Sequence, residues 1–255
     1  MTHDLSGRAA LVTGASSGIG RHLSLRLAKA GARVAVCARR TDRLAGLVDE
    51  IKAGGGAAVA VAMNVEDEAS VIAGFDAAEA ALGAVMESVY ANAGMNIEGL
   101  ALDLPMEAFD QIMAVNCRGV FITAREAARR MKAAGSRETG RGRIVLMSSM
   151  GAHTVLPGLT AYCASKAAVV MMGKSLAREW ARQGISVNVA CPGFLETELN
   201  SDWFGREGGK AQVQSWPRKR LMREDDLDPI LLYLGSDAAG AVTGASFNID
   251  DGQSL

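Results

Sequence analysis

The feature that most constrains this chain is an alternation that runs from one end to the other. Short apolar runs are separated by stretches whose apolar residues recur every three or four positions. Ala9–Thr13, Arg33–Ala38, Ala57–Met63, Glu87–Ala91, Arg143–Met147, Ile185–Cys191 and Ser246–Ile249 read as strands. Between them, Ile19, Leu23 and Leu27 mark one helix face, Leu44, Leu47 and Ile51 a second, and Val71, Ile72 and Phe75 a third. Phe109–Met131 and Ala161–Arg182 read as two longer helices. Strands that alternate with helices build βαβ units, because parallel neighbours need a crossover, and the crossovers cover both sheet faces. The expectation is an α/β fold with a doubly wound parallel sheet. With 5 prolines, no linker and no repeat, residues 1–255 read as one domain. The exception to the periodicity is an excursion at about 194–222, which holds two of the 3 tryptophans.

Composition narrows the function. Lys+Arg is 27 against 28 for Asp+Glu, a net charge of −1. That balance argues against a nucleic-acid partner, whose reader domains are basic, and against a polybasic membrane anchor. No apolar run approaches the roughly 18 residues of a membrane span. The first residues carry His3 and Asp4 and no apolar core, so no secretory signal is expected. Cys37, Cys117, Cys163 and Cys191 form no C-x-x-C pair and lie in or beside apolar stretches. They read as reduced buried thiols, which points to the cytoplasm, and no metal site is expected.

The chemistry begins at Thr13-Gly14-Ala15-Ser16-Ser17-Gly18-Ile19-Gly20, which joins the first strand to the first helix. Glycines there allow a tight turn and a close backbone approach to a pyrophosphate, and the helix N-terminus supplies free N–H groups and partial positive charge. The spacing is G-x-x-x-G-x-G, not the commoner G-x-G-x-x-G. In dinucleotide folds an acid about 20 residues further on accepts the ribose 2′-OH, whereas an arginine accommodates a 2′-phosphate. Here the second strand runs into Arg39 and Arg40, with no acid before Asp42. A guanidinium can grip the extra phosphate and a carboxylate would repel it. The expected cofactor is therefore NADP(H) in preference to NAD(H).

Tyr162 and Lys166 are four apart on one helix, so they share a face. Ser149 precedes Tyr162 just beyond a strand. Ser149, the Gly14 loop, Asn92 and Pro192-Gly193 all fall at the carboxyl ends of strands, where open α/β sheets bind their ligands. On the Thr13–Gly20 loop, Asn92-Ala93-Gly94, Asn116, Ser149, Tyr162 with Lys166, and Pro192-Gly193 with Thr197, the chain resembles the short-chain dehydrogenase/reductase family over nearly its whole length.

That resemblance implies a single-domain Rossmann-like fold and reversible hydride transfer between NAD(P)H and a carbonyl or alcohol. It also implies a homotetramer or homodimer built through the two long helices and the last strand. Tyr162 would be the general acid in reduction and the base in oxidation. A free phenol has a pKa of about 10, and the ammonium of Lys166 is expected to lower it. Lys166 would also hold the nicotinamide ribose, Ser149 would hydrogen-bond the substrate oxygen, and Asn116 would support a water-borne proton relay. Gly14, Ser16, Ser17, Gly18, Ile19 and Gly20 would cradle the phosphates. Asn92, Ala93 and Gly94 would lie beside the adenosine ribose, and Asn64 with Val65 at the adenine, where the family usually has Asp-Val. Pro192, Gly193, Leu195 and Thr197 would bracket the carboxamide.

The expected substrate is a small to medium apolar molecule. Phe194, Trp203, Phe204 and Trp216 suggest an aromatic lid, or else a subunit interface, and His153, Met95 and Asn96 are candidate pocket residues. Two other readings remain. The basic cluster Arg125, Arg129, Arg130 and Lys132 would suit a 3-oxoacyl-thioester reductase docking an acidic carrier protein. A non-catalytic NADP-binding module would have no use for the four catalytic positions together.

Overall fold

A computed structural model describes residues 3–195 and 201–255. Seven strands, β1 (Ala9–Thr13), β2 (Arg33–Ala38), β3 (Ala57–Ala62), β4 (Ser88–Ala91), β5 (Gly142–Met147), β6 (Ile185–Pro192) and β7 (Ser246–Ile249), form one sheet in the order β3-β2-β1-β4-β5-β6-β7. Every pairing is parallel. The strands that sequence periodicity picks out agree with these to within one residue at either end. Central strands such as β1 and β6 are buried at every position. That is why they appear as unbroken apolar runs and not as alternating ones.

The helices are α1 (Gly18–Lys29), α2 (Thr41–Ala53), α3 (Glu68–Leu82), α4 (Met106–Met113), α5 (Val120–Ala133), α6 (Ser136–Thr139), α7 (Thr160–Trp180), α8 (Ser201–Gly205), α9 (Glu207–Ser215) and α10 (Asp228–Gly235). They split into two layers. Leu23 and Leu27 of α1, Leu44 and Leu47 of α2, and Leu231 and Leu234 of α10 pack on one face of the sheet. Val71 and Phe75 of α3, Ile122 and Met131 of α5, and Val169 and Leu176 of α7 pack on the other. The chain is thus a single-domain doubly wound α/β protein, as the alternation requires. Where α1 leaves β1 for one layer and the chain after β4 leaves for the other, the strand order reverses and a crevice opens.

Two elements depart from the sequence reading. The stretch Phe109–Met131 is not one α-helix: residues Ala114–Gly119 form a π-helical turn between α4 and α5. Periodicity cannot show a single inserted residue, since the apolar stripe resumes on the far side. Helix α10 was not anticipated at all. Its sequence DPILLYLG is apolar almost all round, so it has no stripe to detect, and only Pro229 in its first turn marks its start.

Helix α10 is tied to α1 by charge. The His22 ring on α1 places Nε2 2.8 Å from the Asp228 carboxylate and 3.5 Å from that of Asp225, with Nδ1 3.5 Å from Glu224. Arg26 completes the group, its Nε 2.6 Å from the other Asp228 oxygen. The hydrogen bond to Asp228 raises the His22 pKa, outweighing its partial burial, and Glu224 and Asp225 add to the effect. A folded pKa above the unfolded value means the stabilisation is full below about pH 6.5 and is lost as pH rises through the folded value. We therefore expect His22→Gln to cost about 1–2 kcal/mol near pH 6 and much less near pH 9. Urea unfolding at the two pH values measures this, and an equal loss at both would refute it.

Candidate active site

The crevice is fastened at its base by Thr13. Its hydroxyl accepts from the backbone N–H groups of Asn92 and Ala93, each at 3.0 Å. The Asn92 side-chain amide donates back to the Thr13 carbonyl at 2.9 Å. The Gly14 turn, with φ +70, then brings α1 against this junction. Gly20 has no room for a side chain: a Cβ there would overlap the Gly14 carbonyl oxygen and lie 2.5 Å from Asn92 Nδ2.

Gly18 and Ile19 open α1, whose first turn contains no acidic residue. Ser17 stands at the cap position, but its hydroxyl does not cap the helix. It accepts instead from Arg40 Nη2 at 3.0 Å, and Ser16 Oγ accepts from Arg40 Nη2 at 2.8 Å and Nε at 3.2 Å. One guanidinium therefore leans over a helix N-terminus whose N–H groups and dipole favour an anion. This cradle fits the phosphates of a dinucleotide. Arg39 is exposed, with Nη1 3.5 Å from Glu66. Asn64 Oδ1 accepts the Glu66 N–H at 3.3 Å, so the oxygen expected to face adenine is already turned into its own loop. Val65 is buried, against Gly119.

The four candidate catalytic residues come from three elements and meet at the same edge of the sheet. Ser149 follows β5, is buried, and its Oγ accepts from Gly151 N–H at 3.1 Å, which leaves its own proton free to donate. Tyr162 and Lys166 sit in the first two turns of α7. Lys166 is 4% exposed, and its Nζ donates to the Met147 carbonyl at 3.0 Å. Asn116 lies inside the π-helical turn and is fully buried. Its Oδ1 accepts from Met95 N–H and its Nδ2 donates to Met95 O, both at 2.8 Å, with a further bond to Ser165 Oγ at 3.1 Å. Gly94 rests against both Lys166 Nζ and Asn116 Oδ1.

The protonation pattern corrects one expectation. Lys166 was expected to pull the Tyr162 phenol down, but burial pushes the phenol up and outweighs its hydrogen bond from Ser149. Burial instead takes the Lys166 ammonium down to about 8. Nζ is 5.6 Å from the Tyr162 ring centroid and points at a carbonyl, so desolvation of both groups outweighs their coupling. Sequence reasoning also missed Ser148 and Ser165. Ser148 Oγ donates to Lys166 O at 2.7 Å and Ser165 Oγ donates to Tyr162 O at 2.7 Å. Both hydroxyls brace the backbone of the two catalytic candidates, and only their adjacency to Ser149 and Lys166 hinted at it.

Pro192 ends β6 and Gly193 N–H donates to Ile249 O at 2.9 Å. Leu195 bridges to Met222. Thr197 lies outside the described residues. The aromatic residues divide: Phe194 stacks on Trp216 and meets Phe204 edge-on, both at 5.5 Å between centroids, while Trp203 stays 46% exposed. The ring cluster is thus an internal core of the excursion. His153 is exposed, with Nε2 3.7 Å from Cys191 Sγ. Met95 is held by Asn116, and Asn96 beside it is exposed. The basic cluster on α5 is largely neutralised: Arg125 pairs with Glu68, Arg129 with Glu126, and Arg130 with Asp76, Glu79 and Glu126.

A crevice at the strand-order reversal, a phosphate-type cradle and a group of buried Lys166, Ser149 and Asn116 with half-buried Tyr162 define a nucleotide-dependent α/β enzyme. The short chain dehydrogenase family model matches residues 8–208, and the chain belongs to that family. It is similar to a D-threitol dehydrogenase of Mycolicibacterium smegmatis, 34% identical over 251 residues, 98% of this chain and 94% of that one. It is 31% identical over 250 residues to a 3-oxoacyl-[acyl-carrier-protein] reductase of Rickettsia bellii, covering 98% of each. Among solved structures it resembles a gluconate 5-dehydrogenase of Burkholderia cenocepacia J2315 in complex with NADP and tartrate, with TM-score 0.91 and 31% identity over 98% of this chain and 96% of that one. The chain is therefore an oxidoreductase of CH–OH and C=O groups with the nicotinamide-binding fold of its family. Among the described residues, no helix is long and apolar enough to cross a membrane.

The cradle yields a direct test. Gly20→Ala forces the Gly14 turn and Asn92 apart, so nucleotide affinity should fall at least tenfold. Stability should drop by about 1–3 kcal/mol, the usual cost of overpacking. Fluorescence titration with NADPH and thermal unfolding read the two effects, and wild-type affinity would show that the loop yields without consequence.

Proposed function

We propose that this enzyme interconverts a secondary alcohol and its carbonyl with NADP(H), on a small to medium apolar substrate. The observation that carries the proposal is that Lys166 and Asn116 meet beside Gly94 and Ser149 meets Tyr162, all at the carboxyl edge of the sheet. Gly14, Ser16, Ser17, Gly18, Ile19 and Gly20 hold the pyrophosphate, and Arg40 and Arg39 the 2′-phosphate. Asn64, Val65, Asn92, Ala93 and Gly94 border the adenosine. Pro192, Gly193, Leu195 and Thr197 border the carboxamide. The bound nicotinamide supplies or accepts the hydride.

In reduction, Ser149 donates to the substrate oxygen with the proton that Gly151 leaves free. Tyr162, kept protonated by burial, gives its proton to the alkoxide that forms. Lys166 is largely cationic near neutrality; one N–H goes to Met147 O, and the others are available to the ribose and to a water. Asn116 holds the Met95 backbone and borders that relay beside Gly94. In oxidation the phenol must first lose its proton, and the adjacent ammonium makes that loss easier.

The cofactor choice draws support from Arg40 over Ser16 and Ser17 and from the NADP-bound relative. A carrier-protein thioester is the reading the geometry supports least, since three of the four cations on its docking face are already paired. A polyol or sugar acid is a second reading, favoured by the names of the threitol and gluconate dehydrogenases. A panel that pairs apolar ketones with tetritols and aldonates separates it from the first. We further propose a cytoplasmic homotetramer or homodimer, with the exposed Met171 on α7 at a subunit contact.

Two outcomes are expected. Tyr162→Phe should lower kcat by 10²–10⁴-fold, the usual worth of a positioned acid, and leave NADPH affinity within about twofold; retention of a third of the rate would overturn the assignment. Arg40→Ala should lower kcat/KM with NADPH at least tenfold while barely changing that with NADH. Equal efficiency with the two cofactors in the unmodified enzyme would sink the NADP preference.

A further inference from the structure

The C-terminal tail reaches the backbone just beyond β6 through one side chain. Beyond β7 the chain turns at Asp250, whose carboxylate accepts from Gly252 N–H at 3.1 Å and whose carbonyl accepts from Gln253 N–H at 2.9 Å. Asp251 adopts φ 56, a left-handed conformation that a short polar side chain tolerates. The turn aims Gln253 inward, where it is 6% exposed.

Each polar atom of that amide is spent on the backbone of the excursion. Oε1 accepts from Phe194 N–H at 2.6 Å. Nε2 donates to Phe194 O at 3.2 Å and to Arg220 O at 3.4 Å. Phe194 opens the excursion, and Arg220 and Met222 close it. Phe194 O also accepts from Met222 N–H at 3.0 Å. One amide therefore ties the entry and the exit together. Asp251 adds to the tie by ion pairing, its carboxylate 2.8 Å from Arg220 Nε and 3.2 Å from Arg218 Nε.

The same contact accounts for Gly193. A Cβ at that position would stand 2.5 Å from Gln253 Oε1 and 2.8 Å from Asp250 Cα. The glycine after Pro192 is thus required by the tail, whatever else lies beside it. Phe194 in turn carries the ring cluster with Phe204 and Trp216.

We infer that Gln253 is a positioning residue for substrate binding: its amide fixes the Phe194 backbone, and through it the ring cluster of the excursion, against the edge where Ser149 and Tyr162 act. The inference rests on the reading of that edge as the active site. Gln253 touches neither the four catalytic candidates nor the phosphate cradle, so its loss should act on substrate affinity and spare the chemical step; since it also braces the backbone between Gly193 and Leu195, nucleotide affinity should fall less than substrate affinity.

Three variants separate bonding from space filling. Gln253→Ala removes the amide. Gln253→Met keeps the volume without the bonds. Gln253→Glu keeps the acceptor but sets a carboxylate oxygen against the carbonyls of Phe194 and Arg220. Hydrogen exchange of the free enzyme needs no turnover. Peptides covering 203–222 should exchange at least tenfold faster in all three variants, and those covering β1 and α7 should be unchanged. Under turnover with NADPH, KM for the carbonyl substrate should rise about tenfold, roughly 1.4 kcal/mol. The kcat should stay within twofold, and the NADPH Kd should rise less than KM. Wild-type exchange in Gln253→Glu or Gln253→Met would overturn the inference, as would a fall in kcat or nucleotide affinity without a rise in KM. If the wild type reduces no carbonyl in the panel, the functional reading fails, and the exchange experiment still decides whether Gln253 holds the segment.

Discussion

The arrangement depends on the hydrogen bonds between Thr13 and Asn92. β1 and β4 are neighbours in the sheet, but the chain leaves them for opposite faces, so nothing in the sheet itself fixes how wide the gap beyond them opens. A hydroxyl that accepts two backbone N–H groups, and an amide that returns a bond to the same residue, set that width. With the gap fixed, the Gly14 turn and Gly20 can bring α1 within contact of Asn92 on one side. On the other side, Asn92-Ala93-Gly94 can pass against Lys166 and Asn116. The phosphate cradle and the Tyr162–Lys166 pair share this one wall.

The site is built of polar groups anchored chiefly to backbone. Asn116 pairs with Met95 as a strand would, Lys166 with Met147 O, and Ser149 with Gly151 N–H. Anchoring to backbone fixes each group in place and avoids the cost of an unpaired buried dipole. It also leaves two of the three Lys166 ammonium protons without a protein partner among the described residues, and the Ser149 proton engaged only by the Tyr162 oxygen. Those are the protons a bound nucleotide and substrate can use.

Much of this was legible in the sequence, for identifiable reasons. Strands buried on both faces must be continuously apolar, so β1, β2 and β6 declare themselves. Tyr162 and Lys166 share a helix face by spacing alone, and strand ends mark where a ligand can reach. What stayed hidden depends on distance through space. That Arg40 folds onto Ser16 and Ser17, and Gln253 onto Phe194, is set by loop paths that no periodicity records. The direction of the Tyr162 shift runs against the sequence reading for a related reason: proximity along a helix is visible in the sequence, whereas the desolvation that outweighs it is not. Helix α10 was missed because an all-round apolar helix has no stripe.

The π-helical turn at Ala114–Gly119 carries a consequence for how this chain can change. Such a turn holds one residue more than an α-helix of the same length. Removing any one residue from it would let the α-helix close. Because the turn takes up its extra residue locally, α5 would keep its register, with Val120, Ala124, Ala127 and Met131 still on their buried side. What would change is the turn itself, where Asn116 now aims its amide at the Met95 backbone. The packing of the fold has no need of the extra residue, and the site does. A deletion at 114–119 would therefore yield a folded chain with a displaced Asn116.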